Sequence, residues 1–177
     1  MSAPERRAAD AEICRNIRRL ACYRNASCVA IYATDGEEPD LFSLFGEKRF
    51  FLPRYRVAGK CYEMVEIHDP ASELARGKFG LLEPLPELPA AESEFIAAEL
   101  LFLTPAVACS RQGIRLGRGG GFYDRMLAAV RRPVVGVIYS CQWSENLPWE
   151  PHDRKVDFVV TEKEIFEARE KQKTING

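Results

Sequence analysis

The chain has 177 residues and a formal net charge of −1, with 46% hydrophobic and 29% charged residues. These values are typical of one globular domain over residues 1–177, and they give no bulk attraction to nucleic acid or to an anionic membrane. No apolar run approaches the roughly 20 residues that cross a bilayer, and the N-terminus lacks the apolar core of a signal peptide. We therefore expect a cytoplasmic monomer. The six cysteines contain no C-x-x-C pair and predict free thiols.

The first half of the chain predicts one helix followed by several strands. Ile13, Ile17 and Leu20 recur at helical spacing, and Ser2 with Glu5 matches a capping box. The next segments predict a strand at 28–33, a short helix at 38–45, a strand at 49–53 that Pro53 ends, and a half-buried strand at 62–67. The segment from about 69 to 94 is rich in Pro, Glu and Gly and predicts a long surface connection.

The second half of the chain alternates strands with helices. It predicts strands at 99–105, 134–139 and 156–160, with helices at 122–132 and 162–172. Short apolar strands that alternate with helices are typical of a mostly parallel sheet covered on both faces. We therefore expect an α/β domain of three layers.

The segment RLGRGGGFYDRML (115–127) places four glycines directly before a predicted helix. Clustered glycines let backbone N–H groups point together at an anion, and neighbouring arginines add positive charge. The segment lacks the Gly-Lys-Ser/Thr of a Walker A loop, and Phe122 stands where a dinucleotide fingerprint needs glycine. The residues favour phosphate binding over the alternative, a flexible turn with solvated arginines.

Asp124 follows these glycines and fits two roles. It can complement the dipole of the predicted helix, or it can hold Mg²⁺ beside a bound phosphate. A second carboxylate is then expected before the last predicted parallel strand, where EPHDRKVDF offers Glu150, Asp153 and Asp157. His152, in the same segment, is more typical of a surface histidine than of a catalytic base.

Two long stretches, LLFLTPAVACSRQGIRLGRGGGFYDRML and VVGVIYSCQWSENLPWEPHDRKVDFVVTE, resemble the 5-formyltetrahydrofolate cyclo-ligase family. Upstream, IYATDGEEPD, FFLPRYR, YEMVEI and GLLEP fall in the family's order, so the resemblance covers nearly the whole chain. It implies a single α/β domain that uses ATP and Mg²⁺ to convert 5-formyltetrahydrofolate to 5,10-methenyltetrahydrofolate, with release of ADP and phosphate. In that reaction the formyl oxygen attacks the γ-phosphate, a neighbouring nitrogen closes the ring, and phosphate leaves.

The resemblance also implies roles for individual residues. Arg118, Tyr123 and Asp124 match catalytic positions, and Asp124 with Asp153 matches the Mg²⁺ carboxylates. ATP is expected to bind eight positions of the glycine segment and its flanks: Arg115, Gly117, Arg118, Gly119, Gly120, Gly121, Phe122 and Tyr123.

The folate substrate is expected to contact Glu38, Met64, Arg54 and Tyr123. The Glu38 carboxylate would pair with N–H donors of the pterin. Plain core packing is the alternative for Met64. Arg54, with Arg56 and Lys60, would reach the substrate's glutamate carboxylates, and solvated surface charge is the alternative.

The sequence departs from the family pattern at its start. Members usually begin with a further helix that carries a Lys and an Arg one turn apart, and this sequence starts just after it. Arg6 and Arg7 are similar in type but fall elsewhere in the alignment. Two other hypotheses therefore stay open: a non-catalytic folate- or nucleotide-binding relative, and another α/β enzyme such as a sugar-phosphate isomerase or acyl-CoA transferase.

Overall fold

The structure is a computed structural model, and it describes residues 1–59, 61–77, 80–151 and 153–168. The strands in chain order are β1 (Cys28–Ala30), β2 (Arg49–Arg56), β3 (Cys61–Ile67), β4 (Leu74–Arg76), β5 (Leu82–Pro84), β6 (Leu100–Pro105), β7 (Ala108–Cys109), β8 (Arg115–Leu116), β9 (Val134–Val137), β10 (Phe158–Val160) and β11 (Ile165–Glu167). The α-helices are α1 (Ala3–Arg19), α2 (Ala21–Asn25), α3 (Pro70–Glu73), α4 (Ser93–Glu99) and α5 (Phe122–Leu127). Short 3-10 helices lie at Phe42–Leu44 and Ser140–Gln142.

Seven strands form the central sheet in the order β11-β10-β9-β6-β1-β2-β3. Neighbours from β10 to β2 pair in parallel, whereas the edge strands β11 and β3 are antiparallel. One face packs against α1 through residues such as Ile13 and Ile17, and the other packs against α4 and α5 through Phe95 and Leu127. The predicted three-layer α/β fold with a mostly parallel sheet is confirmed.

The predicted N-terminal helix and its cap are confirmed. The Ser2 backbone N–H donates to Glu5 Oε2 at 2.7 Å, and the Glu5 N–H donates back to Ser2 Oγ at 3.5 Å. Ile13 and Ile17 are fully buried on the sheet. No helix in the described ranges is both long and apolar enough to cross a membrane.

The prediction that Pro53 ends its strand is wrong, because β2 continues to Arg56. The Phe51 carbonyl accepts a hydrogen bond from the Ile31 N–H at 2.9 Å, so Phe51 faces β1. Pro53, two residues later, faces the same side, where β1 has already ended. Its missing N–H therefore costs no ladder hydrogen bond.

Four other predicted segments differ from the structure. Within 38–45 only the 3-10 turn at Phe42–Leu44 forms, and the helix predicted at 122–132 ends at Leu127. The predicted surface connection at 69–94 contains α3, the β4–β5 hairpin and the start of α4. In the predicted closing helix, Ile165–Glu167 is instead strand β11, because pairing with β10 outweighs local helix propensity. Residues 169–172 of that prediction lie outside the described residues.

Candidate active site at the carboxyl edge of the sheet

The strand order reverses beside β1, and this reversal creates a crevice. The chain passes from β1 to β2 on one side of the sheet and later returns through β6 on the other side of β1. The segment 31–41 after β1 and the segment 106–121 after β6 therefore meet at the carboxyl edge. In open α/β sheets, ligands bind in such crevices.

Arg118 joins these two segments. Its Nη1 lies 2.5 Å from Asp35 Oδ2, and its Nη2 lies 2.9 Å from Glu38 Oε1. The Arg118 side chain is 54% exposed, whereas that of Glu38 is only 14% exposed. The structure thus brings together the predicted phosphate-binding Arg118 and the predicted folate-binding Glu38.

The two carboxylates beside Arg118 titrate in opposite directions. The hydrogen bond from Arg118 lowers the pKa of Asp35 well below the usual range of an aspartate. Burial raises the pKa of Glu38, and the neighbouring Asp35 raises it further, although Arg118 opposes both effects. Paired carboxylates that share one cation separate in this way because like charges disfavour each other's ionisation.

The glycine segment 117–121 provides an open stretch of backbone. Gly119 has a φ of +81° and Gly121 a φ of +59°, a backbone region that glycine enters without steric cost. A side chain added at Gly119 would meet no atom within 4 Å, so a ligand can approach the backbone there. At Gly120 an added side chain would lie 2.6 Å from the ring of Phe122, so that face is already filled.

Arg115 and Asp124 form an ion pair beneath this segment. Arg115 Nη2 lies 2.8 Å from Asp124 Oδ1, and the Arg115 side chain is only 2% exposed. The Arg115 guanidinium also lies 5.3 Å from the centre of the Tyr123 ring. Burial raises the pKa of Tyr123, so its hydroxyl is a weaker acid than that of an ordinary tyrosine. Two predicted site cations, Arg115 and Arg118, are thus both paired with carboxylates.

Three aromatic rings line the neighbouring part of the edge. Phe122 contacts Tyr62 and Tyr55 edge to face, with ring centres 5.1 Å and 5.9 Å apart. The Arg125 guanidinium lies 4.9 Å from the centre of the Phe122 ring. Phe122 therefore fixes the start of α5 against the β2–β3 hairpin.

The predicted folate residues on the hairpin are less open. Met64 is 1% exposed and belongs to the core between the sheet and α4 and α5. Arg54 Nε donates to Glu63 Oε1 at 2.7 Å, and its Nη1 donates to the Leu85 carbonyl. Arg56 is the more exposed of the two arginines. Lys60 lies outside the described residues.

Comparison with known proteins identifies the family. A profile described as the 5-formyltetrahydrofolate cyclo-ligase family matches residues 1–162. The chain belongs to this family. A 5-formyltetrahydrofolate cyclo-ligase of Haemophilus influenzae is 33% identical over 162 residues, which cover 86% of this chain and 85% of that protein. One of Mycolicibacterium smegmatis is 42% identical over 92 residues, which cover 51% of this chain and 46% of that protein.

A solved structure agrees with the fold. The NMR structure of Aquifex aeolicus 5,10-methenyltetrahydrofolate synthetase superposes with a TM-score of 0.81 and 33% identity. The match covers 100% of this chain and 92% of that one. The resemblance to the cyclo-ligase family that the sequence motifs indicated is therefore confirmed.

The predicted metal carboxylates are placed differently from each other. Asp124 has one oxygen on Arg115 and a side chain that is 26% exposed. Asp153 lies in a turn, where its Oδ2 accepts a hydrogen bond from the Glu150 N–H at 2.9 Å. Within the described ranges, no cluster of three His, Cys, Asp or Glu side chains is arranged to hold a metal ion. His152 lies outside the described residues.

The sequence interpretation missed two residues at this edge. Asp35 pairs with Arg118, and its position three residues before Glu38 in a turn-forming TDGEEP stretch was the available signal. Arg6, on α1, donates to the Gly36 carbonyl in the same turn. A helix thirty positions upstream offers no local pattern that points to this contact.

Proposed function

We propose that this family member converts 5-formyltetrahydrofolate and ATP to 5,10-methenyltetrahydrofolate, ADP and phosphate. The proposal rests on the ion pairs that Arg118 forms with Asp35 and Glu38. These pairs place a glycine backbone suited to phosphate next to the buried Glu38, which is suited to pterin N–H donors. Family membership over residues 1–162 supports the same reaction.

The reaction suits a site that mainly positions and neutralises its substrates. The formyl oxygen forms a bond to the γ-phosphorus, and the bond from that phosphorus to the bridging oxygen of ADP breaks. A neighbouring folate nitrogen then bonds to the formyl carbon and loses its proton to solvent, and the carbon–oxygen bond breaks to release phosphate. Arg118, exposed at the crevice, would neutralise phosphate oxygens during the first step. We propose that it exchanges at least one of its carboxylate partners for a phosphate oxygen in this step.

Features of the glycine segment and of Asp124 support a triphosphate and one magnesium ion at this site. Open backbone at Gly119 and the exposed Arg118 fit the phosphates. Asp124 keeps one oxygen that Arg115 does not occupy, and Asp153 is the second proposed carboxylate. One or two carboxylates are enough for Mg²⁺ that also binds substrate phosphate. When bound there, Mg²⁺ would supply additional positive charge for the phosphate oxygens. The monomeric state and cytoplasmic location stay predictions.

The test mixes the purified chain with 5-formyltetrahydrofolate, ATP and Mg²⁺ and follows the absorbance of the methenyl product. We expect product only when all three are present, and a large loss of kcat/KM in Arg118→Ala. Arg132→Ala is the matched control, since Arg132 pairs with Glu99 on the surface. Binding of folate without turnover would favour the non-catalytic relative. Turnover without ATP would contradict the proposal.

A further inference from the structure

Arg6 makes a contact that the proposed reaction has not used. It lies at the end of the first turn of α1, and its Nη1 donates to the Gly36 carbonyl, 30 residues away. Its Nε is buried and has no hydrogen-bond partner within the described part of the chain. A long cationic side chain is ordered here at an entropic cost for one backbone carbonyl, so the position of that carbonyl matters.

Asp10, one turn further along α1, holds the other end of the same segment. Asp10 Oδ1 accepts hydrogen bonds from the Asp40 N–H at 3.2 Å and from the Tyr139 hydroxyl at 2.7 Å. Tyr139 is buried and follows β9, so Asp10 is tied to the sheet. Helix α1 therefore forms hydrogen bonds with the segment 36–40 at both of its ends.

The turn between these points is closed by its own hydrogen bonds. Thr34 Oγ1 donates to the Glu38 carbonyl at 2.7 Å and accepts from the Gly36 N–H at 2.9 Å. The turn can therefore move as a unit that carries Asp35 and Glu38. Two arginines hold this unit from outside: Arg118 through its carboxylates and Arg6 through its backbone.

These two arginines differ in what a bound phosphate would do to them. Arg118 is exposed and would exchange its carboxylate partners for phosphate oxygens. Arg6 is half-buried and bound to a carbonyl, so a phosphate at the glycine segment leaves its contact intact. Arg6 would then still hold the turn that carries Glu38 while Arg118 acts on the nucleotide.

We propose that Arg6 is a positioning residue, which holds the 34–38 turn so that Glu38 meets the pterin while Arg118 exchanges its partners. This inference rests on the proposed function. It assigns to α1 a role in folate affinity that acts through the backbone of the 34–38 turn.

The test compares Arg6→Gln, Arg6→Lys and Arg7→Gln in steady-state turnover. Arg7 is the matched control, since it is the next residue of α1, carries the same charge and is exposed. We expect Arg6→Gln to raise the KM for 5-formyltetrahydrofolate about tenfold and to change the KM for ATP less than about twofold. Arg6→Lys should recover most of the loss, since its ammonium can also donate to the Gly36 carbonyl. Equal folate KM values in Arg6→Gln and Arg7→Gln would overturn the proposal, as would an equal rise in the KM for ATP.

A second measurement separates this inference from the proposed function. Hydrogen exchange of the Glu37 and Asp40 amides in the free protein should accelerate in Arg6→Gln and not in Arg7→Gln. Faster exchange with an unchanged folate KM would reduce Arg6 to a structural contact and overturn the positioning role. If the unmodified chain binds folate without turnover, the proposed function fails, and calorimetric folate affinities of the same variants decide the role of Arg6. A chain that neither binds nor converts folate overturns both.

Discussion

Arg118 and Asp35 are 83 residues apart in the sequence, yet Arg118 Nη1 lies 2.5 Å from Asp35 Oδ2. The pair spans the crevice between the segments that follow β1 and β6. The cation best placed to receive a phosphate is therefore already neutralised by the protein itself. Any phosphate must compete with Asp35 for it.

This competition predicts the effect of Asp35→Asn. Removal of the carboxylate charge should free Arg118, so we expect Mg-ATP to bind about threefold to tenfold more tightly in the absence of folate. The measurement is the calorimetric Kd. Glu37→Gln is the matched control, because it removes the same charge from an exposed neighbour that forms no ion pair with Arg118 within the described residues. An effect no larger than that of Glu37→Gln would show that Asp35 does not compete with phosphate.

The titration of Glu38 provides a prediction of pH dependence. NMR of labelled carboxyl groups should give Glu38 a pKa above the ordinary value of about 4.3, because burial disfavours its charge. Arg118→Gln should raise this pKa further, and Asp35→Asn should lower it, since the two neighbours act in opposite directions. Shifts of the Glu38 pKa in the same direction in both variants would contradict the opposite effects assigned to Arg118 and Asp35.

The pKa shifts of Glu38 and Asp35 also determine how the stability of the fold changes with pH. Since folding raises the pKa of Glu38, its contribution to stability is lost as the pH rises through the folded value. Since folding lowers the pKa of Asp35, its contribution is present above the unfolded value and is lost as the pH falls through the folded one.

The Arg115–Asp124 pair predicts a stability effect separate from catalysis. Asp124→Ala leaves a buried guanidinium without its carboxylate, and we expect a loss of about 3 kcal/mol in the free energy of unfolding, measured in urea. Glu99→Ala, which breaks the exposed pair with Arg132, should cost less than about 1 kcal/mol. The double variant Arg115→Met with Asp124→Leu should cost less than Asp124→Ala alone.

Asp124→Asn keeps an acceptor for Arg115, and we expect it to fold and to lose Mg²⁺-dependent turnover.

Gly113 supports the segment that leads into the site. A side chain added there would lie 2.4 Å from the Val156 carbonyl oxygen, a backbone atom that cannot rotate away. We expect Gly113→Ala to lower the free energy of unfolding by about 3 kcal/mol. Gly46→Ala is the control, since Gly46 shares a positive φ and has no atom within 4 Å of the added carbon. Equal losses of unfolding free energy in the two variants would show that the positive φ, and not the contact with Val156, causes the destabilisation.

The sequence predicted the fold well where periodicity or a cap was strong. The apolar run of β6 and the Ser2–Glu5 cap of α1 are confirmed. The prediction failed at Pro53 and at 165–167, because whether a neighbouring strand lies beside a residue is a property of the sheet and not of the local sequence.

The sequence predicted which residues form the candidate site, but it did not predict which of them pair with each other. The glycine segment, Arg118 and Glu38 could be assigned from motifs, and the structure brings Arg118 and Glu38 together. No spacing rule reveals that Arg115 is buried against Asp124, or that Arg6 reaches the turn after β1. Such contacts depend on how the layers pack.

The contact between Asn16 and Thr161 affects how the chain folds during its synthesis. The Asn16 side-chain amide donates to the Thr161 carbonyl at 3.0 Å across 145 residues. Helix α1 can pack on residues up to Phe50 early in synthesis, but this contact forms only after Thr161 has been made, and closure of so long a loop is slow. Nascent chains that end before β10 therefore lack part of the surface that covers α1, and we expect them to bind chaperones more than the full chain does.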